Sequence, residues 1–336
     1  MLQTILLEYY IKGGCMKNLK IAIIGATGLV GQTLIKVLDE EGLFDSSEIT
    51  LYVSKRSAGK EYMFKGRRFR LIELDERALN QKFDIVFFSA GSAVSRVWAK
   101  KFAELGAYVI DNTSEFRRLK SVPLVVPEIN FETISQDTKI ISNPNCTTIE
   151  LAVVIEKLKQ LSKIKKIIIS TYQSVSGAGR RAVCDLKNNA KNVFKYGIND
   201  NLIAKIGKIQ ENGYSEEENK IMFELPKILD EDIDVSATAV RIPVEICHGE
   251  SVYVEFESTV NLIDVYSVLE CDYIKFLTDD VCEVCDVKNQ NQTFVCRIRQ
   301  KSETELEFFI LADNLRRGAA YNAVLIMKKL IEKAYV

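Results

Sequence analysis

The run Ile21-Ala22-Ile23-Ile24 passes without a break into Gly25-Ala26-Thr27-Gly28-Leu29-Val30-Gly31 and then into an amphipathic segment. An apolar strand, a glycine-rich turn and a helix in that order constrain the fold more than any other feature of the chain. Glycines at such a turn let backbone approach a pyrophosphate, and the helix start offers unpaired N–H groups and a positive dipole end. The spacing is G-x-x-G-x-x-G, one residue wider than the common dinucleotide fingerprint. The strand–turn–helix setting therefore carries the nucleotide reading, with a tight turn that holds no ligand as the alternative.

The second strand qualifies it. An NAD enzyme usually ends this strand on an acid that holds the ribose hydroxyls. Here it ends Ser54-Lys55-Arg56-Ser57, with no acid. Two cations and two hydroxyls suit a 2′-phosphate, which Arg56 can grip bidentately, so NADP(H) is expected.

The period continues as short β-branched runs (LKIAIIG, EITLYVS, FDIVFFSAG, YVIDNT and LVVPEIN) alternating with helical segments that start at Leu29 and Ser92. That pattern implies a parallel sheet with helices on both faces. A second block holds the helical run TTIELAVVIEKLKQL and the strand IKKIIISTYQSV. VSATAVRIPV, SVYVEFE, TFVCRIRQ and LEFFILAD follow as closely spaced strands, and this block reads as α+β with a largely antiparallel sheet. A chain of 336 residues fits about two domains at roughly 150 residues each. The expected class is thus α/β: a Rossmann-type nucleotide-binding domain plus an α+β catalytic and dimerisation domain. The nucleotide-binding unit is expected to run 16–146 with 315–336, the last segment packing back on it, and the second unit 147–314. Residues 1–15 read as translated leader, because Met16-Lys17 is a natural start and Lys12-Gly13-Gly14-Cys15-Met16 can be encoded by a ribosome-binding-like purine string.

Composition removes other classes. Lys plus Arg total 45 against 46 acids, and aromatics do not alternate with basic residues, so neither nucleic acid nor an anionic membrane is an expected partner. No run reaches the length of a membrane span. The eight cysteines follow no pairing frame and read as reduced thiols of a cytoplasmic protein. Cys282 and Cys285 have C-x-x-C spacing with Cys271 and Cys296 nearby, but no histidine is close, and no metal is expected.

Among those cysteines Cys146 stands apart. Ser142-Asn143-Pro144-Asn145-Cys146 opens a helix with Asn145 as a plausible N-cap, and a thiol in the first turn is favoured as thiolate. The chain has one histidine, His248, in a Gly-containing loop between strands. A lone histidine is more often structural, yet a cysteine nucleophile needs a proton carrier and His248 has no rival.

The residues then resemble a known family. GATGLVG, SKRSAGK, FFSAGSAVS, DNTSEFR, VPEIN, NPNCTT, TYQSVSGAGR, QENGYSEEENK, RIPVEICHGES and DNLRRGAAYNA occur in order across 17–336. Together they are similar to aspartate-β-semialdehyde dehydrogenases. The resemblance implies Cys146 as acyl-accepting nucleophile, His248 as acid/base and Gln173 as a substrate-orienting group. It implies Arg241 for the substrate α-carboxylate, Arg117 and Lys220 for the phosphate, and Glu217 for the amino group, the last two in a register that neighbouring acids leave open. It assigns the cofactor to Gly25, Thr27, Gly28, Leu29 and Val30, to Ser54, Arg56 and Ser57, to Ser89 and Ala90, and its nicotinamide half to Ser176, Gly177 and Asn314. The implied reaction is NADPH-dependent reduction of L-aspartyl 4-phosphate to L-aspartate 4-semialdehyde with release of inorganic phosphate, on the lysine, threonine and methionine branch of biosynthesis. A homodimer is implied, with a tetramer as the variant. N-acetyl-γ-glutamyl-phosphate reductase is the nearest rival; it follows its cysteine with Tyr-Pro, where this chain has Thr147-Thr148. A non-catalytic NADP-binding paralogue is the rival from another class.

Overall fold

The computed structural model describes residues 18–278 and 280–336; the leader expected at 1–15 lies outside them. The chain runs β1 Leu19–Ile24, α1 Leu29–Glu40, β2 Ser47–Val53, β3 Glu61–Phe64, β4 Arg67–Arg70, β5 Ile72–Glu73, β6 Ile85–Phe88, α2 Ser92–Glu104, β7 Tyr108–Asp111, α3 Pro127–Asn130 and β8 Ile140–Ser142. It continues through α4 Cys146–Leu158, β9 Ile164–Gln173, α5 Arg180–Asn188, α6 Glu216–Leu229, β10 Asp234–Arg241, β11 His248–Phe256, α7 Leu262–Leu269, β12 Ile274–Phe276, α8 Val284–Val287, β13 Thr293–Ser302 and β14 Glu305–Ala312. A π-turn, Arg316–Ala320, leads into α9 Tyr321–Glu332.

The first sheet has the order β5-β2-β1-β6-β7-β8, and all its pairings are parallel. The near-continuous apolar sequence of β1 follows from burial on both faces. Ile21 and Ile23 point to one layer, with Leu34 and Leu38 of α1 and Val324 and Met327 of α9. Ala22 and Ile24 point to the other, with Ala99 and Phe102 of α2. The strand order reverses at β1, which pairs β2 on one side and β6 on the other, so the Gly25 turn leaves the sheet at its switch point, where open α/β sheets bind ligands.

The second sheet has the order β10-β9-β11-β14-β13-β12. Its β9–β11, β11–β14 and β14–β13 pairs are antiparallel, whereas β9–β10 and β12–β13 are parallel, so it is mixed. One face carries α4, α6 and α7 over a core that includes Ile149, Val153, Ile167, Leu225, Val252 and Ile310. α4 is buried almost all round, from Thr147 to Ile155, because β11, β13 and β14 cover one side while α3, α6, α7 and the π-turn cover the others.

One expected strand does not form. LVVPEIN contributes a single bridge, Leu124 to Ser142, and then turns into α3 at Pro127. Proline lacks the ladder N–H and its fixed φ suits a first helical position, so Pro127 ends the extended run.

Candidate active site

The nucleotide turn is shaped by close approach. Gly25 has φ +91°, and a Cβ there would lie 2.9 Å from the carbonyl group of Ser89 and 3.0 Å from the Ala90 nitrogen. A Cβ on Gly31 would meet the Gly25 oxygen at 2.4 Å. The turn therefore seats against the end of β6, where Ser89 donates its hydroxyl to the Ile24 carbonyl. Gly28 caps α1 without a side chain, which leaves the helix start open to an anion. Thr27 presents its carbonyl to Arg180 at 3.0 Å, and the same guanidinium reaches Gln32 at 2.7 Å. Leu29 packs against the small core of Val175, Ala182, Val183 and Ile198, while Val30 joins the core beneath the first sheet. Ser54 and Arg56 are exposed and Ser57 is half-buried beyond the end of β2. Backbone that tolerates no Cβ and an open helix start fit the pyrophosphate of a dinucleotide.

Cys146 is the first residue of α4. Asn145 has the extended backbone of an N-cap, but its side chain makes no cap bond. It donates instead to Glu217 at 2.9 Å and accepts from Thr147 at 2.6 Å. Its N–H goes to Glu224 at 2.6 Å, and Glu224 also holds Arg117 at 3.0 Å. The loop before the thiol is thus fixed by α6 and not by self-capping. From the other side Gly318 presses on it: a Cβ there would meet the Cys146 Cβ at 2.7 Å. The expected thiolate bias is outweighed, because burial and then the Glu217 carboxylate push the thiol well up while the Thr147 N–H and Lys220 act the other way.

Asn145, Cys146, Gln173, Gly177, Glu217, Lys220 and Arg241 line one cleft of about 720 Å³. Gln173 ends β9 and donates to Thr171 at 3.2 Å. Arg241 ends β10 beside it in the parallel register, buried, with its guanidinium bonded to the Ser174 carbonyl. Glu217 is buried in the first turn of α6 and receives Lys220 at 2.9 Å. Burial pushes its pKa up, but Lys220, Asn145 and Arg241 outweigh that and hold the carboxyl down at about 2.

His248 starts β11, opposite Gln173. It is fully buried just behind the cleft wall: a Cβ on Gly177 would lie 3.4 Å from its Nε2 and 3.1 Å from Nη1 of Arg241. The Ser174 N–H donates to Nδ1 at 3.1 Å, so the neutral ring carries its proton on Nε2. The Ser174 hydroxyl lies 3.1 Å from Nδ1 and donates to Asn314 at 3.2 Å. Asn314 in turn donates to Ser176 at 3.0 Å and accepts the Cys247 N–H at 3.0 Å. Cys247 itself is held at φ +79°, a strained region for a residue with a Cβ. Burial and then the Arg241 charge push His248 down to about 3, so it is a neutral N–H donor at neutral pH and not the cationic partner of a thiolate.

One expected substrate-binding position lies elsewhere. Arg117 does not line the cleft; it is buried behind Asn145, on Glu224 and on the Asn112 carbonyl at 2.8 Å, with Nε unpartnered. Its neighbour Arg118 lines an adjoining depression with Ser114, Asn219 and Lys220. Ser174, Glu224 and Gly318 were not singled out from sequence. Ser174 lies inside the TYQSVSGAGR run, which is the one local signal that pointed at it.

The matches to known proteins agree with this geometry. Residues 20–137 match the family profile of the semialdehyde dehydrogenase NAD binding domain, and 156–317 that of its dimerisation domain. An aspartate-semialdehyde dehydrogenase of Aquifex aeolicus is 40% identical over 94% of this chain and 99% of its own length. The chain belongs to the aspartate-semialdehyde dehydrogenase family. Crystal structures of aspartate semialdehyde dehydrogenase II from Vibrio cholerae share the fold at a TM-score of 0.89 and 38% identity, over 94% of this chain and 99% of that one. The same Vibrio enzyme complexed with ASA matches at 0.89 and 37%, with the same coverage. The aspartate semialdehyde dehydrogenase with NADP from Candida albicans matches at 0.77 and 25%, over 95% of this chain and all of that one. As in this family, the chain joins a Rossmann-type domain to a dimerisation domain, and among its described residues no helix is long and apolar enough to cross a membrane.

Proposed function

We propose that the chain reduces L-aspartyl 4-phosphate to L-aspartate 4-semialdehyde with NADPH, through a thioester on Cys146, and releases inorganic phosphate. The observation that carries this reading is one cleft in which a helix-start cysteine meets Arg241, Glu217 and Lys220 with His248 behind Gly177. The substrate carries a carboxylate, an ammonium and a phosphoryl group. Arg241 suits the first, Glu217 the second and Lys220 the third. Arg117 acts on the phosphoryl group through the Asn145 segment that it and Glu224 fix, and Gln173 orients the acyl group at the end of β9. The NADP-bound relative supports the choice of cofactor, as does Arg56 at the end of a strand that lacks an acid. Gly25, Thr27, Gly28, Leu29 and Val30 would hold the pyrophosphate with Ser89 and Ala90, Ser54, Arg56 and Ser57 the 2′-phosphate, and Ser176, Gly177 and Asn314 the nicotinamide half.

The Cys146 sulfur attacks the acyl carbon, its proton passing to the departing phosphate as the acyl C–O bond breaks and the thioester forms. When bound, the dinucleotide supplies hydride to the thioester carbon. Backbone N–H groups at the start of α4 and the Nε2–H of His248 stabilise the oxyanion of each tetrahedral stage. Cys146 then leaves as thiolate and the aldehyde is released. Lys220 enters this scheme twice, favouring ionised Cys146 and balancing the departing phosphate.

The functional units are taken as 16–146 with 315–336 and 147–314. A homodimer is part of the proposal, supported by the dimerisation-domain match and by exposed Ile168 and Tyr172 on the sheet face away from α4. A cytoplasmic location and a place on the lysine, threonine and methionine branch belong to the same reading. The test is phosphate-dependent reduction of NADP by aspartate semialdehyde, beside Cys146→Ala and with the N-acetylated glutamate semialdehyde as control. Turnover of only the acetylated substrate, or equal rates in the variant, would overturn it.

A further inference from the structure

Two carboxyl groups behind the cleft are left unused by that scheme. Glu150 stands one turn after Cys146 on α4, and Glu250 two residues after His248 on β11. Each therefore shares a face with the residue assigned to chemistry on its own element. Both are fully buried, and no carboxyl oxygen of either accepts a hydrogen bond from another described group. A Cβ on Gly318 would lie 2.7 Å from Oε1 of Glu150 and equally 2.7 Å from the Cys146 Cβ, which makes this carboxyl the thiol's neighbour from behind.

The other charges around them do not resolve the burial. Arg317 faces Glu150 from the π-turn, but its guanidinium is committed to Glu128 at 2.6 Å, and its Nε and Nη2 have no partner. Asp313, at the end of β14, adds a further negative group. Across the thiol lie Glu217, Lys220 and Arg241, and beside Glu250 on its own strand lies neutral His248. An unpaired ionised carboxylate away from water is so costly that the group takes up a proton instead. Burial, and the repulsion that Glu250 and Asp313 exert when ionised, hold Glu150 well above the usual carboxylate range despite Arg317; burial does the same for Glu250.

We propose that Glu150 and Glu250 form a proton-holding pair that keeps the space behind Cys146 electrically neutral, so that the thiol ionises without a second negative charge beside it. Both are positioning residues, since neither lines the cleft. The inference rests on Cys146 being the nucleophile, and it goes beyond that reading by naming what makes the site's ionisation affordable. It also explains why Gly318 has no side chain: the turn closes over the neutral carboxyl and excludes water from it.

The test is the pH dependence of Cys146 alkylation by iodoacetamide, followed on the Cys146 peptide by mass spectrometry in the free chain. Glutamine has the shape of a protonated glutamate, so E150Q is expected to overlay the native profile within about threefold. E250Q is expected to overlay it for the same reason, because a protonated Glu250 carries no charge for the substitution to remove. E150Q/E250Q is expected to overlay it as well. An E150Q or E250Q profile displaced to lower pH by a unit, the sign that an ionised carboxylate has been removed, overturns the pair. Infrared difference spectra of the native chain and E150Q near neutral pH cover a variant that fails to fold. Loss of a protonated-carboxyl carbonyl band in E150Q supports the proposal, and loss of an ionised-carboxylate band contradicts it. Neither readout uses substrate or nucleotide, so each stands or falls separately from the turnover assay.

Discussion

Gly318 lies directly against Cys146: a Cβ on residue 318 would sit 2.7 Å from the cysteine Cβ and 3.1 Å from its Cα. Side-chain carbons do not approach backbone that closely, so Gly318→Ala must displace the start of α4 or the π-turn. Overpacking of this kind costs about 1–3 kcal/mol. A fall in kcat/KM of at least tenfold is expected with the lower melting temperature, because the displaced atom is the proposed nucleophile's own Cβ. Thermal denaturation and steady-state kinetics on the same sample check both halves.

Ser174 connects His248 to Asn314. Ser174→Ala removes the hydroxyl beside Nδ1 but leaves the N–H that fixes the tautomer. One neutral hydrogen bond is worth about 0.5–1.5 kcal/mol, so kcat/KM should fall about two- to tenfold with little change in KM. A rise in KM at constant kcat would show that the serine binds substrate instead of orienting the ring.

Glu217 makes a pH prediction whose sign is fixed by its partners. Its folded value of about 2 lies below the ordinary carboxylate value of 4.5. The stabilisation is therefore complete above about pH 5 and is lost as pH falls toward 2, with an upper bound of about 3 kcal/mol. Urea denaturation at pH 7, 5 and 3 should show the native chain losing more stability between pH 5 and 3 than Glu217→Gln. Parallel losses would remove the effect from Glu217.

Much of this was legible before the fold was known, and the reasons are local. The Gly25 turn announces itself because only glycine fits backbone packed on Ser89, and Cys146 because a helix visibly begins there. Gln173, Glu217, Lys220 and Arg241 arrive in one cleft from β9, α6 and β10, elements separated by long stretches of chain; spacing alone could not join them, and the family resemblance did. Contacts decided by packing stayed hidden. The engagement of Arg117 with Glu224 depends on where α6 crosses, and so does the use of Asn145 as a strut instead of a cap. The burial that makes His248 a neutral donor depends on the closure of β11 over β9 and β14. LVVPEIN misled for the opposite reason: its apolar run is core, but Pro127 makes it a bend.

Arg56 is exposed beyond β2 where a 2′-phosphate would sit. Arg56→Ala should raise the KM for NADP about 10- to 100-fold, the worth of a charged hydrogen-bond pair, and leave that for NAD unchanged. An equal rise for both nucleotides would move Arg56 from the extra phosphate to the shared part of the cofactor.

Covalent chemistry at Cys146 is read out by mixing the chain with L-aspartyl 4-phosphate in the absence of nucleotide, quenching in acid and mapping peptides by mass spectrometry. One aspartyl group is expected on the peptide containing Cys146, hydroxylamine-labile as a thioester and absent in Cys146→Ser. A chain that turns over the substrate with NADPH yet carries no acyl group on Cys146, or carries it on another cysteine, would contradict it.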